Sequence, residues 1–186
     1  QDAYPGEVVN IWVLSQEVET LAQADLAAWN GRLAAWGGLF YTPTGLPTRM
    51  PGSVYLQMAD EEEYAGTLVV DNNGGSTGAG GVDLPVTNQC PDAVKCYRMT
   101  TVKLQAKGTL YVTEDVTVKE LELEANTRVN LNGHTLTIKS HAHKRGKGWP
   151  SNWNAKSSPL VVPGADADGN PGKIVWEPWG LKILVR

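Results

Sequence analysis

The sequence predicts a mainly β protein with one N-terminal α-helix, and three observations carry that prediction. Short apolar–polar alternations recur through the second half of the chain, each only a few residues long, as half-buried strands require. Turn formers are abundant, with 20 glycines and 11 prolines in 186 residues, a density that cuts a chain into brief extended pieces. Between Leu110 and Ile138 the alternating pairs return at intervals of 19 and 20 residues, close to the period of a stacked repeat.

Taken in order, residues 1–14 hold an N-terminal strand, 15–38 an amphipathic helix, and 39–186 a β-rich domain. In Glu7–Leu14, the side chains of Val8, Val9, Ile11, Trp12, Val13 and Leu14 are apolar on both strand faces, so this strand needs cover from two sides. Ser15 is an N-cap candidate, and Glu17 and Glu19 put negative charge in a first turn, where the helix dipole favours it. Val18, Leu21, Ala22, Leu26, Trp29, Leu33 and Trp36 follow at spacings mostly of three or four and form one stripe. Gly31 weakens this helix by ~1 kcal/mol relative to alanine, and Gly37-Gly38 stop it.

Beyond the helix, 39–51 reads as an irregular connection, 53–58 and 67–70 as strands, and 60–63 as a solvated acidic turn. The run 71–81 is too rich in glycine and small polar residues to offset its ordering entropy by burial, and reads as a loop. Residues 99–138 carry the pairs Leu110/Val112, Val116/Val118, Leu121/Leu123, Val129/Leu131 and Leu136/Ile138. These are expected to be strands with one face inward, arranged as about two coils of a short parallel β-solenoid.

The stretch NTRVNLNGHTLTI (126–138) resembles the coil repeat of extracellular right-handed β-helix proteins, such as autotransporter passengers and pectate-lyase-like surface proteins. The resemblance implies secretion and coil geometry. It does not extend to catalysis, because lyases of that type gather acidic metal ligands and a basic proton abstractor on one face of a long helix, and two coils offer no such face. Asn132-Gly133 is also the favoured pair for a two-residue type I′ hairpin. In that case 129–131 and 134–138 would pair antiparallel, in a β-sandwich or jelly roll.

A net charge of −4 provides no basic face for nucleic acid. The short basic run Lys139–Lys147 reads as a solvated loop. No stretch approaches the ~20 apolar residues of a membrane span. A first residue of Gln1 fits a mature exported chain after signal-peptide removal, and equally a shortened one. Cys90 and Cys96, in CPDAVKC, suit a local disulfide and hence an extracellular or cell-surface location.

No nucleophile elbow, phosphate loop or zinc-protease helix occurs in the sequence, and no catalytic residue is assigned. Glu120, Glu122 and Glu124 alternate on the outward side of their strand. His141 and His143 form an H-x-H pair, beside Lys144 and Arg145, which would repel a cation. Asp166, Asp168 and Asn170, with Glu177 at position twelve, outline a calcium loop, although Pro171 stands where such a loop needs glycine. The simpler alternative is an Asx turn. Trp149, Trp153, Trp176 and Trp179 could stack on sugar rings, or else cover the open edge of the β domain.

The functional expectation is a secreted structural subunit that assembles with copies of itself into a filament or surface layer by strand exchange. The apolar strands at both ends of the sequence motivate it, since naked edges invite pairing. The alternative is a secreted carbohydrate-binding or lyase-like accessory domain, with surface polysaccharide as its partner.

Overall fold

The alternation that begins at Thr101 folds into strands, and almost all of them pair in parallel. The computed structural model of the chain describes residues 9–10, 39–41, 47–49, 52–57, 61–72, 74–75, 80–85, 92–144 and 159–177. The predicted helix at 15–38 lies outside these residues.

The strands are β1 (Val9–Asn10), β2 (Leu39–Tyr41), β3 (Pro47–Arg49), β4 (Gly52–Leu56), β5 (Thr67–Asp71), β6 (Val82–Leu84), β7 (Thr101–Gln105), β8 (Thr109–Val112), β9 (Val116–Val118), β10 (Glu120–Leu123), β11 (Arg128–Asn130), β12 (Thr135–Ile138), β13 (Leu160–Val162) and β14 (Lys173–Trp176). One helical turn, α1 (Ala93–Cys96), runs into a 3-10 turn at Tyr97–Met99 just before β7. Neither that turn nor β6 is anticipated by the sequence patterns, and the segment 39–51, expected to be an irregular connection, instead contains the β2–β3 ribbon.

Three sheets collect these strands. The first has the order β1-β4-β5-β7-β10, the second β13-β11-β8-β6 and the third β14-β12-β9, while β2 and β3 form a separate antiparallel ribbon. Among the described residues, only β4 and β5 pair antiparallel within the three larger sheets. From β7 onward the chain visits the sheets in turn. Thr101 faces Glu120, Leu110 faces Val129, and Val116 faces Leu136, each pair in parallel register. Strands β13 and β14 then add to β11 and β12 in the same sense.

That register stacks like on like. Leu110, Val129 and Val161 share one row, and Val116, Leu136 and Ile174 another. Leu68, Val70, Leu84, Val102, Leu104, Leu110, Val112, Val118, Val129 and Leu136 are fully buried together, with Leu131 and Ile138 beside them. Of the six residues expected inward between Leu121 and Ile138, five are buried. Leu123, at the end of an outermost strand, is partly buried against the same cluster.

The hairpin alternative is corrected here. Asn132 and Gly133 do form a tight turn with positive φ at both positions, 48° and 86°, closed by the His134 N–H donating to the Leu131 carbonyl at 2.7 Å. The flanking strands nevertheless do not pair with each other: β11 lies in the second sheet and β12 in the third. The turn is a corner between sheets. Its outer groups are satisfied by neighbours above and below, with Asn132 Nδ2 donating to the Val112 carbonyl at 3.0 Å and Gly133 N–H to the Pro163 carbonyl at 2.9 Å. An antiparallel sandwich built on this turn is therefore not the architecture.

Candidate functional site

Cys96 is buried, packs into the core cluster and is disulfide-bonded. Its expected partner, Cys90, lies outside the described residues. With a bridge between these two, the intact mass should rise by two hydrogens on reduction, and the unreduced protein should take up no thiol label. Labelling before reduction would refute the pairing.

The 166–170 loop folds as an Asx turn. Asp166 Oδ1 accepts the backbone N–H groups of Asp168 at 2.9 Å and Asn170 at 2.7 Å, and Oδ2 accepts from Asn170 Nδ2 at 3.0 Å. Backbone hydrogen bonds between Asp166 and Asn170, and between Gly169 and Asp166, close it. Glu177 is engaged elsewhere, its Oε1 lying 3.0 Å from Arg98 Nη2. Asp166, Asp168 and Glu177 do not gather into a group of converging ligand atoms. Both Asp166 carboxylate oxygens accept hydrogen bonds from within the turn, and Pro171 is held in a bridge to Ala165.

The side chain and then the backbone of Asn170 hold the Asp166 carboxyl below its ordinary value of 3.8. A depressed folded-state pKa means that the turn's contribution is present at neutral pH and is lost as pH falls through that lower value. The Asp168 and Asn170 amide resonances should therefore shift with a midpoint below 3.8 in an NMR pH titration. A midpoint at or above that value would show that these hydrogen bonds do not favour the ionised form.

Of the four tryptophans, only Trp176 is among the described residues; Trp149, Trp153 and Trp179 lie outside them. Trp176 is half-buried against the core, with Lys144 Nζ 5.3 Å from its ring centroid. Of the N-terminal strand, Val9 and Asn10 are described, whereas Val8, Ile11, Trp12, Val13 and Leu14 are not. Val9 and Asn10 pair in parallel with Val54 and Tyr55, at one end of the first sheet.

The H-x-H pair divides. His141 Nε2 lies 2.6 Å from the Glu177 carbonyl oxygen, while His143 Nε2 lies 3.1 Å from Glu120 Oε1 and 3.9 Å from Glu122 Oε1. One atom from each of Glu120, Glu122 and His143 falls within 4.8 Å of the other two. The outward placement of the glutamates is legible from their alternation. Their approach to His143 is not, because it depends on how the chain returns after β12. Glu124 takes no part and accepts the Ala106 N–H at 3.3 Å.

Fold and geometry define the chain as a mainly β protein with parallel sheets. No family model, curated protein or solved structure matches the chain. No helix among the described residues is long and apolar enough to cross a membrane.

Proposed function

We propose that residues 99–138 make about two coils of a parallel β-solenoid of the extracellular right-handed type, and that the chain is a secreted structural subunit joining copies of itself by strand exchange. The observation that carries this reading is the placement of β1. It occupies an end position in the first sheet, runs parallel to β4, and is separated from it in sequence by the whole 15–38 segment and more.

A parallel edge strand on a long connection gains little from being in the same chain. Closure entropy grows only slowly with loop length, so a neighbour's copy of β1 takes the slot where chains are locally concentrated, as they are along a filament or surface layer. The slot beside β4 accepts backbone hydrogen bonds from either source. Strand donation of this head-to-tail kind extends into open filaments where the rotation does not close. The disulfide at Cys96 supports an oxidising, extracellular setting.

Size-exclusion chromatography with light scattering and negative-stain microscopy test this on the full chain, on a variant lacking residues 1–14, and on Val9→Pro. Proline removes a ladder donor and is tolerated poorly within a paired strand. The full chain is expected to polymerise and both variants to remain monomeric. Equal assembly of all three would rule out β1 as the donor. A monomeric full chain at the highest attainable concentration would overturn the assembly reading in favour of a carbohydrate-binding accessory domain.

A further inference from the structure

We propose that Glu120, Glu122 and His143 form a binding site for one divalent transition-metal cation of the zinc type, a site independent of whether the chain assembles. Glu120 and Glu122 stand two residues apart on β10 and so project from the same face of the sheet. After β12 the chain turns back along that edge: Lys139 N–H donates to the Val118 carbonyl at 3.1 Å and Ser140 N–H to the Lys119 carbonyl at 2.7 Å. A turn closed by Lys144 N–H on the His141 carbonyl then sets His143 over the two glutamates.

The donor set is one imidazole nitrogen and two carboxylate oxygens, drawn from two separate segments. In a tetrahedral site with bonds of ~2.0–2.1 Å, neighbouring ligand atoms lie roughly 3.3 Å apart. Separations of 3.1 Å and 3.9 Å from His143 Nε2 to the two carboxylates require only small side-chain adjustments to reach that geometry. Oxygen and imidazole donors together suit zinc and its neighbours better than calcium or magnesium, which take oxygen alone.

Charge favours the same conclusion. The Glu120 side chain is only 19% exposed, and Glu122 brings a second carboxylate close to it. Of the basic neighbours of His143, Lys144 is turned to the Trp176 ring and Arg145 lies outside the described residues, while Lys139 Nζ, four residues back, reaches Met99 Sδ at 3.9 Å. Lys103 stands opposite Glu122 in the parallel register, and Lys103→Ala, which removes a positive charge from that neighbourhood, should tighten metal binding.

The test is a calorimetric titration of the chelator-treated, disulfide-intact full chain with zinc chloride alone, together with histidine ring NMR on the unsubstituted protein. One saturable site per chain is expected, with the His143 ring resonances moving and those of His134 staying in place. Affinity should fall at least tenfold in His143→Ala and in Glu122→Gln and stay unchanged in His134→Ala. Absence of saturable binding, or binding that leaves the His143 ring unperturbed, would overturn the proposal. The NMR readout needs no substituted protein, so a misfolded variant cannot mask the answer.

Discussion

Leu131→Ala is expected to destabilise the protein by ~2–5 kcal/mol, the range for removing a buried leucine side chain and leaving its cavity incompletely filled. Leu131 is 1% exposed and belongs to the continuous core cluster. It also stands at the start of the Asn132-Gly133 corner, where its carbonyl accepts the His134 N–H, so collapse of the cavity is resisted by a hydrogen-bonded turn. Native stabilities run at only ~5–15 kcal/mol, which makes this loss a large share of the total. Urea unfolding followed by circular dichroism measures it, with the exposed Glu114→Ala as a control expected to stay within ~0.5 kcal/mol. A cost for Leu131→Ala as small as the control's would mean that its side chain is not in the core.

Gly133→Ala is expected to be comparably damaging, for a different reason. Gly133 has φ +86°, and a Cβ placed there would fall onto the backbone nitrogen of Asp166 and lie 2.6 Å from the Ala165 carbonyl carbon. Backbone atoms cannot rotate aside as a side chain can. Left-handed strain of ~1–2 kcal/mol is therefore joined by overpacking of ~1–3 kcal/mol. Gly169→Ala separates the two terms, because Gly169 has a similar φ of +84° with nothing within 4 Å of its added Cβ. It should show the strain alone. Unfolding midpoints of the two variants, measured side by side, check the difference, and equal losses would mean that the 164–166 backbone does not pack on the corner as described.

The strands of residues 101–138 are legible because each has a period-two pattern with aliphatic residues on one face, and that pattern is local. Their spacing also anticipates the register, since Leu110 and Val129, and Val116 and Leu136, are the partners that stack. Strand β6 is missed because Val82–Leu84 is only three residues long and follows a glycine-rich run. The calcium reading of 166–177 turns on a point that the sequence can express only in part. Asp166, Asp168 and Asn170 have the right alternation, but the same oxygen donors satisfy an Asx turn, and nothing local tells whether Glu177 will return to them or reach Arg98.

What the sequence determines by itself is the class of local structure: brief strands, their inward faces and a left-handed corner at Asn132-Gly133. Each follows from side-chain period or from the φ that asparagine and glycine tolerate. What only the tertiary structure decides is which edges meet. The same corner residues serve a hairpin or a turn between sheets, and the choice falls to the latter because rows such as Leu110, Val129 and Val161 bury one another when successive strands stack in parallel. The gathering of Glu120, Glu122 and His143 is decided in the same way. It arises where a chain that has completed one circuit of the sheets lies down beside the strand it left, and contacts of that kind are set by long-range packing rather than by neighbours in sequence.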